Sequence, residues 1–488
     1  MKIAVVCDSF KGSLTSKDAC AAVKDGLLRC NKNFEVLSLP FADGGEGTSR
    51  CFYDILGGQL RKAAVHDPLL REITAEYTVL PDGTAVIDIA SASGLTLLKS
   101  SERDAVKVSS LGSGELICDA AEHGAKHIIL GLGGSATTDA GTGILYALGM
   151  RFFSEDGVEV LPDGQNMIRV KKIRRTENFE RFKDIKFTLA CDVTNPLCGE
   201  NGAAYVFSPQ KGASKNDVEL LDDGLRNIGE IFEKASGKKI INLPGAGAAG
   251  GIGGGLSAFL NCELQSGFDV LARAASLEDK IRRSDAVITG EGKTDRQTLF
   301  GKLPKRVSDI AEKFGVPCIL LSGDVENDIS AEELGVCEIH KIKENGISLE
   351  HCMKNAASLL SERAFAIGKD SKIINKQYSR KQMLCHQFMQ LIREHSTCEH
   401  QVPFYTEQLC ITPRYLYEIT TQYMNGKTPK QLIDEQLIAE AKVLLNEPCL
   451  SVTEIAELLN FADQSYLSRF FKKNTGMSPK EFRLQKLL

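Results

Sequence analysis

Six short apolar runs spaced among helical patterns, followed by a long stretch with none, limit most tightly what this 488-residue chain can fold into. The runs are Ile3-Ala4-Val5-Val6-Cys7, Val86-Ile87-Asp88-Ile89, His127-Ile128-Ile129-Leu130, Phe187-Thr188-Leu189-Ala190, Ala286-Val287-Ile288-Thr289 and Cys318-Ile319-Leu320-Leu321. At four or five residues, with Gly and Asp around them, they have the size of buried strands and are too short for helices. Two of them follow amphipathic segments, 113–122 and 305–313, that stop at Gly124 and Gly315, where the glycine just past a helix is expected. Strands alternating with helices predict a mostly parallel α/β sheet, whose ligands bind at the C-terminal ends of the strands. Around Gly368-Lys369-Asp370-Ser371-Lys372 the strand signals end, and the remainder reads as helices joined by short turns. The expected division is 1–367, a linker over 368–377, and a helical part over 378–488.

Charge separates the same two parts. The net charge of −5, with 43% hydrophobic and 25% charged residues, argues against a chain coated in nucleic acid. From Lys376 onward, however, 14 Lys and Arg face 12 Asp and Glu, and over 463–488 six bases face two acids. A locally basic face beside an acidic body points to a partner carrying phosphates, although a solvated surface helix has the same composition. The 15 cysteines include no CxxC pair and no Cys/His ligand cluster, so they read as reduced thiols of a cytoplasmic chain, packed as small hydrophobes. The N-terminal apolar run meets Asp8 too early for a signal peptide, and no stretch approaches 18 apolar residues, so neither secretion nor a membrane span is expected.

Three dense loops in the α/β part carry candidate chemistry. After the first strand come Asp8-Ser9-Phe10-Lys11-Gly12-Ser13-Leu14 and then Thr15 and Asp18 at capping-box spacing, which sets Lys11, Ser9 and Ser13 beside a helix N-terminus that favours anions. In Ala42-Asp43-Gly44-Gly45-Glu46-Gly47-Thr48 the glycines let backbone approach a ligand, and the carboxylates suit Mg²⁺ or a hydroxyl proton; a plain acidic turn has the same residues. In 131–141, Gly133, Gly134, Ser135 and Thr137 form a segment suited to cradling phosphates. Two familiar fingerprints nearly occur. Gly292-Lys293-Thr294 resembles the end of a P-loop, yet Val287 stands where that loop needs glycine. Gly245, Gly247 and Gly250 have dinucleotide spacing, which keeps a nicotinamide enzyme open, but Pro244 and the glycines at 251 and 253–255 suit a ligand loop better. Asp192 and Asp295 follow further strand or loop segments. Phosphoryl transfer needs cations at the γ-phosphate, carboxylates for Mg²⁺ and one acid for the attacking hydroxyl, and these segments contain each type.

Nine ordered segments over about residues 1–367 resemble the bacterial glycerate kinase family. They are Asp8-Ser-Phe-Lys-Gly-Ser, Ala42-Asp-Gly-Gly-Glu-Gly-Thr, Ser91-Ala-Ser93-Gly-Leu, Gly133-Gly-Ser-Ala-Thr, Cys191-Asp-Val-Thr-Asn-Pro-Leu, Asn201-Gly-Ala-Ala, Pro209-Gln-Lys-Gly-Ala, Pro244-Gly-Ala-Gly-Ala-Ala-Gly-Gly and Gly290-Glu-Gly-Lys-Thr-Asp-Arg-Gln-Thr. The resemblance implies two α/β domains flanking an active-site cleft, one inserted in the other, with ATP, Mg²⁺ and glycerate as ligands and 2-phosphoglycerate as product. Thr138-Asp139-Ala140 and Lys293 depart from the family's usual Asn-Asp-Gly and arginine, which removes neither an acid nor a cation. Carried onto this sequence, Lys11 and Lys293 would neutralise phosphate charge, Asp43 and Asp295 would serve Mg²⁺, and Asp192 would receive the hydroxyl proton. Ser9, Ser13, Gly44, Gly45, Ser91, Ser93, Gly133, Gly134, Ser135, Thr137, Gly247, Gly250, Gly290 and Gly292 would line the ligand.

The helical part reads as two helix-turn-helix units. Residues 405–409 and 413–424 flank the turn Cys410-Ile411-Thr412, and after a long helix over 429–446 the capping box of Ser451 and Glu454 opens a second pair. Asn460, a residue that tolerates the left-handed conformation, takes the second turn, and 463–474 form the second recognition helix. Phe461, Tyr466-Leu-Ser-Arg-Phe-Phe-Lys-Lys473 and Gly476-Met-Ser-Pro479 closely resemble the AraC/XylS signature over about 382–485, with Asn460 and Gln436 as departures from its common glycine and arginine. Arg414, Tyr415, Gln464, Ser465, Ser468 and Arg469 are the residues expected on base edges, and Lys472 and Lys473 on phosphates. A glycerate kinase with a tail for double-stranded DNA is the expected whole, a homodimer among its compatible assemblies. The competing readings are a regulator that only senses glycerate or its phosphate and a tail that binds protein.

Overall fold

The structure is a computed structural model that describes residues 1–485 apart from 43, 46, 161–162, 327, 344–346, 375–379, 425 and 448–449. It divides into two compact units, Met1–Ser371 and Lys372–Leu488. The helix Ala356–Asp370 runs through the first residues of the expected linker, and 375–379 of that linker lie outside the described residues.

In chain order the strands of the first unit are β1 (Lys2–Cys7), β2 (Glu35–Pro40), β3 (Gln59–His66), β4 (Glu72–Val79), β5 (Ala85–Asp88), β6 (His127–Gly131), β7 (Met150–Phe153), β8 (Lys172–Arg175), β9 (Lys186–Ala190), β10 (Asn261–Gln265), β11 (Ala286–Thr294), β12 (Cys318–Val325) and β13 (Glu338–Lys341). All six expected runs are among them. One sheet has the order β13-β12-β11-β1-β2 and is parallel throughout. Ile3 to Cys7 of β1, between β11 and β2, are fully buried, as expected for a strand covered on both faces. The second sheet, β10-β9-β6-β5-β4-β3, is parallel from β10 to β5 and antiparallel at its β4 and β3 edge. All of it comes from residues between β2 and β11, so the second α/β layer is inserted into the first. A small antiparallel pair, β7 and β8, stands apart.

Apolar packing joins the two layers. Ala4 and Val6 of β1 belong to the same buried cluster as Val86, Ile129 and Ala190 of the inserted sheet. Local chemistry ends the helices as expected: Thr15 Oγ1 accepts from the Asp18 N–H at 3.1 Å to open the helix Ser16–Cys30, and Gly124 and Gly315 take left-handed φ of +89° and +65° just past theirs.

The second unit contains helices only among its described residues: Arg380–His395, Val402–Gln408, Pro413–Tyr423, Pro429–Leu445, Val452–Leu458, Gln464–Thr475 and Pro479–Gln485. It holds two small cores. Leu432 and Ile433, at the front of the helix Pro429–Leu445, pack with Phe388, Tyr405 and Leu416, whereas Leu437, Ala441 and Leu445 further along it pack with Ile455, Leu467 and Phe471. One long helix thus serves both halves of a bipartite domain. Asn460 takes the left-handed turn at φ +54°, and its amide donates to the Cys398 carbonyl at 2.7 Å, tying the second half to the first.

Candidate active site

Two hollows open beside the strand ends of the first unit, and the expected ligand residues divide between them. The larger, about 670 Å³, lies at the C-terminal ends of β1, β11 and β12. The turn after β1 brings Asp8, Ser9, Lys11 and Ser13 to it; β11 and the turn beyond bring Gly292, Lys293 and Asp295. Glu291, Lys302, Asp324 and Lys343, which the sequence reading passed over, complete a lining of four lysines and four carboxylates.

These charges hold one another. Lys293 Nζ lies 2.8 Å from Glu326, which raises the lysine's pKa. Lys302 Nζ lies 3.3 Å from Asp295. Burial pushes Asp295 upward, but the Lys302 hydrogen bond and charge outweigh it and lower its pKa. Asp295 also accepts from the Gln297 N–H at 2.9 Å and so caps the short helix Arg296–Leu299. Glu291 is buried, accepts from Thr294 Oγ1 at 2.9 Å and Thr298 Oγ1 at 2.7 Å, and has its pKa raised by that burial. Gly292, Lys293 and Thr294 lie near or at the end of β11 itself, so the P-loop likeness has no loop to act in. Gly290 is a packing position, where a Cβ would stand 2.5 Å from the Leu321 carbonyl.

The smaller hollow, about 390 Å³, belongs to the inserted layer and is lined by Gly44, Gly45, Gly133, Gly134, Ser135, Asp192 and Lys211 among others. The segment after β2 reaches both layers: the Phe41 N–H donates to the Cys7 carbonyl at 3.0 Å, and Gly44 accepts from the Gly133 N–H at 3.1 Å. The backbones touch so closely that a Cβ on Gly133 would come within 2.4 Å of Gly45 Cα, which is why glycine is required there. Asp43, assigned from sequence to Mg²⁺, lies outside the described residues, as does Glu46.

Other expected ligand residues are placed in the walls behind. Ser93 is buried and shares a hydrogen bond with Ser113 at 2.7 Å; Ser91 is half-buried on the same turn of helix. Thr137 is fully buried, with its hydroxyl unpartnered. Gly247 and Gly250 are buried against the Pro196 and Thr137 carbonyls, while Ala248 and Ala249 between them line the hollow. The buried Lys211 was missed: its segment Pro209-Gln-Lys-Gly-Ala was conspicuous in sequence, but nothing local says that the lysine points inward. Asp139 was missed as well. It accepts from the Ser110 N–H and hydroxyl at 2.9 and 2.7 Å and from Gly141 N–H at 3.1 Å, which fixes the glycine-rich segment from behind, and burial raises its pKa. Among the described residues no group of three or more His, Cys, Asp or Glu stands ready as a metal cage.

In the second unit Arg414, Ser465, Arg469, Lys472 and Lys473 are exposed, and Tyr415, Gln464 and Ser468 are half-buried. Gln464 accepts from Thr453 Oγ1 at 3.0 Å, so this residue also braces the two helices of the second pair. The Asp463 side chain accepts from the Tyr466 N–H at 2.7 Å and opens the recognition helix.

A sequence model of the glycerate kinase family matches residues 3–372. The chain belongs to that family. Glycerate kinase of Halalkalibacterium halodurans is 38% identical over 364 residues, covering 74% of this chain and 96% of its own length. Glycerate 2-kinase of Escherichia coli K12 is 41% identical over 330 residues, covering 67% and 87%. The crystal structure of a protein assigned as glycerate kinase 2 from Salmonella typhimurium LT2 superposes with a TM-score of 0.68 at 35% identity, over 76% of this chain and 97% of that one. What distinguishes this member of the glycerate kinase family is its tail: residues 405–485 match a helix-turn-helix domain, here of the AraC/XylS type. None of the described helices is long and apolar enough to cross a membrane.

Proposed function

We propose that the chain phosphorylates D-glycerate with ATP and Mg²⁺ to give 2-phosphoglycerate, and that its tail binds double-stranded DNA at specific sites. The observation that carries the first part is the larger hollow, where Lys11, Lys293, Lys302 and Lys343 stand among carboxylates at the ends of parallel strands. Four ammonium groups suit a triphosphate, whose charge must be neutralised before a nucleophile can approach. Hard oxygen donors suit Mg²⁺, which is held through one or two carboxylates with water and phosphate oxygens completing the shell. Asp295 and Asp8 are the described carboxylates that fit this role, and Asp43 is the further ligand inferred from sequence. Bound there, Mg²⁺ would supply neutralisation of the transferring phosphoryl oxygens.

Asp192, at the rim of the smaller hollow beyond β9, takes the proton of the attacking hydroxyl. The glycerate oxygen bonds to the γ-phosphorus as its bond to the β-phosphate bridging oxygen breaks, and ADP leaves. The test is a coupled assay on the full-length chain, with product identified by phosphorus NMR. Glycerate-dependent ADP formation and a 2-phosphoglycerate signal are expected. Glycerate binding without glycerate-dependent ADP would identify the first unit as a sensor instead.

A further inference from the structure

Lys211 is the most deeply placed charge in the smaller hollow. Only 3% of its surface is exposed, and its ammonium meets two neutral oxygens, Ser135 Oγ at 2.8 Å and the Thr137 carbonyl at 2.7 Å. An ammonium carries three hydrogens, and the third has no acceptor among the described residues. Burying a cation against neutral oxygens is a costly way to hold a loop, because neutral acceptors return less than desolvation takes. A lysine placed so reads as a group kept for an anion that arrives.

The rest of the lining says which anion. Among the described lining residues Lys211 is the only base and Asp192 the only acid, with glycines 44, 45, 133 and 134 between them leaving room for a compact ligand. A triphosphate needs several cations; a small hydroxy acid needs one for its carboxylate and one proton acceptor for its hydroxyl. We propose that Lys211 recognises the acceptor: its Nζ binds the carboxylate of glycerate on the inner wall of the smaller hollow and so directs the hydroxyl toward Asp192. This deepens the functional reading above and rests on it. Burial draws the lysine down to about 7, with Asp139 pulling the other way, so an arriving carboxylate would restore its charge. Asp139, behind the glycine-rich segment, is the charged group that acts on it; Asp192 and Cys191 are the other titratable groups of the lining, and Ser135, Thr137 and Gln210 are neutral.

The experiment compares the full-length chain with Lys211→Met, using D-glycerate and its neutral amide, glyceramide, as acceptors. In Lys211→Met the KM for glycerate should rise roughly 10- to 100-fold, the KM for ATP should stay within about twofold, and the preference for glycerate over glyceramide should collapse. A merely structural lysine would weaken both acceptors alike and leave the preference intact, and that result would overturn the proposal. A larger loss for ATP than for glycerate would overturn it too, by assigning Lys211 to the nucleotide. Should the variant fail to fold, the wild-type chain decides: glycerate affinity should fall as pH rises through about 7 to 9 while glyceramide affinity stays level, and parallel profiles would count against the role. Calorimetry without nucleotide separates this inference from the activity. A chain that binds glycerate but does not turn it over, and loses binding in Lys211→Met, keeps the inference and loses the kinase; equal binding by both proteins does the reverse.

Discussion

Gly250 stands so close to Thr137 that a Cβ added to it would lie 2.0 Å from the Thr137 carbonyl oxygen. The same oxygen accepts the Lys211 ammonium at 2.7 Å, so the glycine-rich run and the buried lysine share one anchor. Ala249, Gly250 and Gly251 are all left-handed, with φ of +54°, +69° and +95°, and bend the run around that carbonyl. Gly250→Ala adds both a clash with backbone and a strained φ. It should destabilise the first unit by about 2–4 kcal/mol, read by urea unfolding, because overpacking against a fixed backbone cannot relax. Turnover with glycerate should fall at least about tenfold as the loop shifts. Unchanged stability would mean that the run yields more easily than its contacts imply.

Asp192 follows β9 and is exposed at the rim of the smaller hollow. If it receives the hydroxyl proton, Asp192→Asn should lower kcat by roughly 10²- to 10⁴-fold, the usual range for a general base. The KM for ATP should hardly move, since the lysines of the larger hollow are untouched. Full turnover in the variant would remove Asp192 from this role.

Acid stability offers an independent check on the larger hollow. Partial burial pushes Asp324 upward, but the ammonium groups of Lys341 and Lys343, each 2.8 Å away, hold its carboxyl down to about 2. An unfolded aspartate titrates near 3.9, so the folded pKa is the lower one. The pair therefore stabilises the fold above about pH 4, and that contribution is lost as pH falls toward 2. Solvent screens the group, which limits the effect to roughly 0.5–1 kcal/mol. Asp324→Asn should cost about that much at neutral pH. Its stability should also fall less steeply than wild type between pH 4 and pH 2 in urea titrations.

The central strands were legible because Ile3 to Cys7, Ile128 to Leu130 and Val287 to Ile288 are buried on both faces and spell unbroken apolar runs. The edge strands were not. β3 pairs Gln59, Arg61 and Lys62 with Val79, Tyr77 and Glu76 of β4, and its partly buried, polar-rich pattern does not stand out against a helix. Loops were legible as loops, since Gly44, Gly133 and Gly134 announce close backbone approaches. Their division into two hollows was not, because it depends on how two separately wound sheets meet. Lys211 shows the same limit: its partners, Ser135 and Thr137, lie more than 70 residues away in the chain. In the tail, the capping box of Ser451 and Glu454 and the turn residue Asn460 placed the second helix pair, since there the signals are local.

On the proposed reading, the exposed face of the helix Gln464–Thr475 would separate two kinds of DNA contact. Arg469 lies mid-helix, where a side chain reaches base edges, while Lys472 and Lys473 occupy the last turn, where phosphate contact is geometrically simpler. An operator should first be selected from a random duplex library with the full-length chain. Arg469→Ala should then weaken the selected duplex by about 1–3 kcal/mol while leaving a scrambled duplex nearly unaffected. Lys472→Ala should weaken both alike and reduce the slope of log affinity against log salt by about 1, one phosphate contact's worth of released counterion. Anisotropy titrations across a salt series measure both quantities. If Arg469→Ala instead lowers the two affinities equally, the residue touches backbone only, and base recognition must fall to Ser465, Ser468 or the first pair's Arg414.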